Sequence, residues 1–90
     1  MIINKLSIVI PAYNEGPTIH LILNKIKAVQ LIENISKEVI IVNDCSKDDT
    51  EEAIQRYREQ NPDFNILYFK HEVNQGKGAA LHTGLSLIHI

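Results

Sequence analysis

Three short apolar runs divide the chain. Each is followed by a polar turn and then by a stretch in which apolar residues recur every three or four positions. Leu6–Ile10 is apolar and β-branched, and Pro11, which cannot donate to a sheet ladder, is expected to stop it. Asn14-Glu15-Gly16-Pro17 reads as a turn with Pro17 at the first helical position. Ile19, Ile22, Leu23, Ile26 and Val29 then predict an amphipathic helix over 17–31. Glu38–Asn43 is nearly continuous in its apolar character, as buried central strands of a parallel sheet are. Ser46-Lys47-Asp48-Asp49 has capping-box spacing, and Asp48, Asp49, Glu51 and Glu52 would crowd a first helical turn whose dipole favours negative charge. Ala53, Ile54 and Tyr57 supply the buried face of this second helix, and Asn61-Pro62 ends it. Asn65–Phe69 predicts a third strand, Asn74–Gly78 a glycine-rich loop, and Ala79, Ala80, Leu81, Leu85 and Ile88 a third helix. Strand and helix alternate three times, which calls for crossover connections and a parallel sheet: an α/β, Rossmann-like β-α-β-α-β-α fold.

Composition narrows the picture only a little. Ninety residues permit one small domain. A net charge of −2 offers nucleic-acid phosphates no basic stripe, so no nucleic-acid partner is expected. Cys45 is the single cysteine, which rules out an intrachain disulfide and fits a reducing, cytoplasmic compartment. Met1–Lys5 lacks the features of a signal peptide, and no apolar run reaches the ~20 residues that a membrane helix needs. The last six residues, Leu85–Ile90, match the translation of a common transposon-derived sequencing adapter. Two divisions follow. Either 1–84 is native and 85–90 a foreign tail, or Leu85 and Ile88 continue the apolar spacing of Leu81 as a natural helix end.

In an open parallel sheet, ligands bind beyond the carboxyl ends of the strands. Pro11–Glu15, Asn43–Ser46 and Asn74–Gly78 all fall there, and their convergence is the main sign of a site. Asp44, ending a buried strand, is a fixed acceptor of two hydrogen bonds. Uracil offers it an N3–H, and guanine an N1–H with an exocyclic amine. Cytosine and adenine present a ring acceptor at that edge and are repelled. Asp44 is equally suited to capping its own loop. Tyr13 fits either stacking on a base or half-burial at a strand end, and Glu15 either ribose hydroxyls or a helix N-terminus. Gly76 and Gly78 allow close backbone approach, with Lys77 between them as a charge for a diphosphate; a plain glycine turn is the alternative. A dinucleotide fingerprint fails at Leu81, where its third glycine belongs, and a phosphate-binding P-loop fails at Gly78, where Ser or Thr belongs. His20, His71, His82 and His89 form no metal-binding pair, and His82 is placed on a helix surface. Cys45 beside Asp44 reads as a small loop residue, since a neighbouring anion disfavours a thiolate.

Taken in series, Ser7-Ile8-Val9-Ile10-Pro11-Ala12-Tyr13-Asn14-Glu15, Val39–Thr50 and Asn74-Gln75-Gly76-Lys77-Gly78-Ala79-Ala80 resemble the family 2 glycosyltransferases of A-type fold. The second segment resembles that family's Asp-Asp-Gly-Ser-x-Asp-x-Thr loop, with Asn43 in place of the first aspartate and Cys45 in place of the glycine. The resemblance covers about residues 5–84, and its wording is nearest to dolichyl-phosphate mannosyltransferases and related polyprenyl-phosphate sugar transferases. It implies a nucleotide-sugar donor carrying UDP or GDP, held by Pro11, Ala12, Tyr13, Glu15, Val42 and Asp44, with Lys77 near the diphosphate. It implies transfer with inversion to an acceptor, a lipid phosphate in that branch, at the cytoplasmic face of a membrane. It also implies Mg2+ or Mn2+ on the leaving diphosphate, held by an Asp-x-Asp that this sequence lacks. The chain is therefore expected to bind the nucleotide, to bind no metal and not to catalyse transfer alone, and an open edge on its first strand is expected to leave it marginally stable or prone to aggregate. A non-catalytic nucleotide-binding module is one alternative. A sugar-phosphate nucleotidyltransferase is another, although Pro11–Gly16 lacks the glycine- and arginine-rich loop it would need. A receiver-type signalling domain fits worse, since neither Asn14-Glu15 nor His71-Glu72 matches its acidic pocket.

Overall fold

The computed structural model describes residues 5–29 and 36–88. The predicted helix end at 31, the tail residues His89 and Ile90, and residues 1–4 lie outside that range. Six elements alternate along the chain: β1 (Lys5–Ala12), α1 (Ile19–Ala28), β2 (Ser36–Asn43), α2 (Thr50–Gln60), β3 (Ile66–Lys70) and α3 (Lys77–Ser86). The strands form one parallel sheet in the order β1-β2-β3. Ala12 lies opposite Asn43, and Asn43 opposite Lys70, so the three carboxyl ends are level.

The unbroken apolar run of β2 has a direct cause in this arrangement. Its side chains alternate between two covered faces, and Val39, Ile40, Ile41 and Val42 are all 0% exposed. Val39 and Ile41 pack with Ile19 and Leu23 of α1 and Ile54 and Tyr57 of α2. Ile40 and Val42 pack with Ala80 of α3, with Val9, Leu87 and Ile88 at the margin. Full burial of one such side chain contributes roughly 1.5–3 kcal/mol, which makes β2 the strand on which the fold depends most. The third helix lies over β1 and β2, leaving Leu67 and Phe69 of β3 exposed on the same face.

Several local expectations gave way to tertiary contacts. Pro11 does not stop β1, which runs on through Ala12. The Asp44 N–H donates to the Ala12 carbonyl (2.8 Å), so Ala12 faces β2 and Pro11 turns its donorless nitrogen to the outer edge of the sheet. The capping box does not form. The Ser46 hydroxyl bonds Asn43 Oδ1 and accepts from the Asn14 N–H (3.0 Å), and α2 begins only at Thr50 after an Asp49 that makes no side-chain cap. Glu51 and Glu52 remain in its first turn, whereas Asp48 and Asp49 precede it. Pro17 sits in the turn before α1 rather than at its first position. At the other end, α3 continues without interruption past Gly84 to Ser86.

Candidate functional site

The loops after the three strands are tied to one another by side chains that the sequence places just past each strand end. Asn14 donates its N–H to Ser46 Oγ (3.0 Å) and accepts from the Lys47 N–H through Oδ1 (2.8 Å). Glu15 N–H donates to Thr50 Oγ1 (2.9 Å) and Gly16 N–H to Asp48 Oδ2 (3.1 Å). Asp48 also accepts from the Thr50 hydroxyl and, at 2.9 Å, from the Thr50 N–H. The Thr50 hydroxyl leads the causes that hold the Asp48 carboxyl below the ordinary carboxylate range, ahead of a smaller opposing effect of burial. Asn14 and Cys45 both adopt left-handed backbone, with φ of 53° and 56°. Asparagine visits that region readily; at Cys45 it costs roughly 1–2 kcal/mol, a strain that glycine would not carry.

Asp44 is the centre of the site. Its side chain sits on the α3 face at the end of β2 and the residue is only 3% exposed. Oδ1 accepts from the Gln75 N–H (2.8 Å) and from His71 Nδ1 (2.9 Å), and Oδ2 accepts from the Gly76 N–H (2.8 Å). Burial pushes the carboxyl up, but the bonds from Gln75, His71 and Gly76 together outweigh it, and the net effect holds Asp44 below the usual carboxylate range. The Asp44 carbonyl accepts from Asn74 Nδ2 (3.2 Å), so the whole residue anchors the loop after β3. Gly76, at φ 91°, makes the turn that aims its amide and that of Gln75 at one carboxylate.

Around this carboxylate lies a cleft of about 340 Å³ lined by Pro11, Ala12, Tyr13, Glu15, Asp44, Asn74, Gly76, Lys77 and Ala80. Of the residues that the resemblance assigns to the donor, the cleft gathers Pro11, Ala12, Tyr13, Glu15, Asp44 and Lys77, whereas Val42 is fully buried beneath α3. Tyr13 is 43% exposed, with its ring free at the mouth. Glu15 Oε2 accepts from Thr18 Oγ1 (2.6 Å) in the turn before α1. Lys77 is the exposed first residue of α3. A larger cleft of about 450 Å³, lined by Gln55, Arg58, Pro62 and Phe64 among others, lies at the opposite end of the sheet, away from these loops.

Sequence reasoning passed over His71 and Thr83. His71 is 5% exposed, and its Nε2 meets Thr83 Oγ1 of α3 (2.8 Å) while Nδ1 serves Asp44. Strand register is what relates it to Asp44. The register pairs Asn43 with Lys70, so the next residues along, Asp44 and His71, are neighbours once both strand ends are fixed.

The lowered pKa has a consequence in acid. Asp44 is held below its unfolded value of 3.8, so its contribution to stability is complete above that pH and is lost as pH falls through the lower folded value. The Gln75 and Gly76 amides should therefore shift and lose exchange protection together, with a midpoint below 3.8 in a pH titration followed by amide NMR. A midpoint at or above that value would contradict the assigned bonding.

Comparison with known proteins agrees with this geometry. Residues 7–88 match the family model for glycosyl transferase family 2. A dolichyl-phosphate beta-glucosyltransferase of Trichomonas vaginalis is 39% identical over 84 residues, spanning 88% of this chain and 25% of that protein. A poly-beta-1,6-N-acetyl-D-glucosamine synthase of Staphylococcus epidermidis is 36% identical over 80 residues, 89% of this chain and 18% of that protein. Among solved structures, a mannosyltransferase from Pyrobaculum calidifontis in complex with GDP-Man and Mn2+ superimposes with a TM-score of 0.86 and 29% identity, over 96% of this chain and 24% of that one. The chain spans a quarter or less of the length of these relatives. With the order of its elements, its strand-end cleft and its match across residues 7–88, the chain belongs to glycosyl transferase family 2.

Proposed function

We propose that this chain is the part of a sugar transferase that holds the nucleoside of a UDP- or GDP-sugar donor. The observation that carries the proposal is Asp44: a carboxylate kept ionised at the floor of the strand-end cleft, with three of its acceptor positions filled and the cleft open beside it. A carboxylate has about four such positions, which leaves one for an N–H of the base. Uracil and guanine supply it from a ring nitrogen; cytosine and adenine carry a ring acceptor there, which the carboxylate repels, and have a donor only on the exocyclic amine. Tyr13 offers its exposed ring for stacking, worth roughly 1 kcal/mol or more. Glu15 is placed for ribose hydroxyls. Lys77 and the uncapped start of α3 favour the negative diphosphate. The mannosyltransferase complex with GDP-Man supports a nucleotide-sugar donor, and the dolichyl-phosphate beta-glucosyltransferase supports transfer to a polyprenyl phosphate. Inversion, and a place at the cytoplasmic face of a membrane, complete the proposal. No helix among the described residues is long and apolar enough to cross a membrane.

A divalent cation would neutralise the charge that builds on the leaving diphosphate. Among the described residues no group of three or more His, Cys, Asp or Glu side chains could hold one. Asp44 is committed to the loop amides and Glu15 to Thr18, so the residues present do not fit the metal and no step is assigned to it. Calorimetric titration of the chain with UDP, GDP, CDP and ADP, without metal, tests the proposal. UDP or GDP should bind at least about tenfold more tightly than CDP and ADP, the effect of one hydrogen bond to a charged group. Equal affinities for all four would overturn it.

A further inference from the structure

Resting on the reading of Asp44 as the group that recognises the base, we infer that His71 is a positioning residue that narrows the choice to uridine over guanosine. The argument is a count of lone pairs. His71 Nδ1 and the Gln75 N–H both approach Asp44 Oδ1, at 2.9 and 2.8 Å, and so use both of its acceptor positions. The Gly76 N–H takes one position on Oδ2 (2.8 Å). One position remains, on Oδ2. Uracil presents one N–H to a facing carboxylate and is matched by it. Guanine presents two donors side by side, the N1–H and the exocyclic amine, and one of them is left without an acceptor on Asp44. A donor without a partner costs more than a good bond contributes.

His71 is built to hold that arrangement. It is the residue immediately after β3, almost fully buried, with the edge of its ring against Phe69 (centroids 6.0 Å apart). Thr83 Oγ1 on α3 fixes Nε2 at 2.8 Å, so both ring nitrogens are engaged and the imidazole cannot turn away from Asp44. The Asp44–His71–Thr83 chain therefore ties the base-reading carboxylate to the helix whose first residue is Lys77.

The test compares UDP and GDP titrations of the chain and of three variants. Wild type should favour UDP over GDP by about tenfold, the effect of one unpaired donor. His71→Leu removes the donor and frees a position on Oδ1, so the GDP-to-UDP affinity ratio should rise about tenfold. His71→Asn places an amide donor near the Nδ1 position and should keep the wild-type ratio. Should His71→Leu fail to fold, His71→Gln gives the same readout, since its amide reaches toward Thr83 and leaves Oδ1 open. A merely structural histidine would weaken both nucleotides alike and leave the ratio unmoved, and that result overturns the inference. A wild-type chain that prefers UDP and GDP to CDP and ADP but does not separate the first two also overturns it, leaving the reading of Asp44 intact. No discrimination among the four bases brings down both.

Discussion

Replacing Asp44 with asparagine is expected to lower the affinity for UDP by about 10- to 100-fold, the loss that follows from one hydrogen bond to a charged group. CDP should change much less, so the preference between bases collapses along with the affinity. The reason lies in the number of donors that converge on this side chain. Two backbone N–H groups and one imidazole point at the two carboxylate oxygens. An asparagine of the same shape has only one oxygen, and its NH₂ must face at least one of those donors. Either the Gly76 amide or the pair from Gln75 and His71 loses its acceptor, and the loop 74–76 loosens. Amide exchange at Gln75 and Gly76 should accelerate in the same variant. Both measurements matter, because the two roles of Asp44 separate there. Faster exchange with unchanged UDP affinity would make Asp44 a loop staple that takes no part in recognition.

That double role explains which parts of the site were legible in the sequence. The strands were, because β2 is buried on both faces and therefore has to be apolar throughout, and the three polar strand ends follow from three parallel strands of matched register. Six of the seven residues singled out line one cleft for that reason. Val42 does not line the cleft: it shares the α3 face with Asp44 but lies one step back along β2, where the helix covers it. The choice posed for Asp44, between reading a base and capping its own loop, was also too narrow. It caps a loop, but the one after β3, some thirty positions along, as the bond to Gln75 with its sequence separation of 31 makes plain. No local pattern encodes such a contact.

The same limit produced the wrong capping box. Ser46 and Asp49 have the right spacing, yet the Ser46 hydroxyl is taken by Asn43 and Asn14, two residues brought to it by strand pairing. Propensity at a helix end is worth about 1 kcal/mol, and two tertiary hydrogen bonds outweigh it. His71 illustrates the converse. Scanning histidines for metal spacing cannot find a residue whose partners are Asp44 and Thr83, 27 and 12 positions away. Only strand register could, and register is fixed by the fold.

Substituting Gly84 by alanine tests how tightly α3 is seated, and two effects of opposite sign compete. Helix propensity favours alanine by about 1 kcal/mol in the interior of a helix. Against that, the added Cβ would collide with Val9 Cγ1 and approach Val42 Cγ2 at 3.4 Å. Val9, packed under α3 on β1, is the side chain that must give way, and a β-branched valine has little rotamer freedom with which to do so. Overpacking of this kind costs about 1–3 kcal/mol, and the balance is expected to fall on the destabilising side by up to about 2 kcal/mol. Gly78→Ala in the same helix is the control, since nothing lies within 4 Å of a Cβ there. It should stabilise by up to about 1 kcal/mol. Urea midpoints that move in opposite directions for the two variants would confirm the close seating of α3; a rise for both would mean that the helix can lift off the sheet at little cost. A lifted helix would also carry Lys77 and Ala80 away from the cleft and Thr83 away from His71. Gly84→Ala should therefore weaken UDP binding although residue 84 lies outside the cleft.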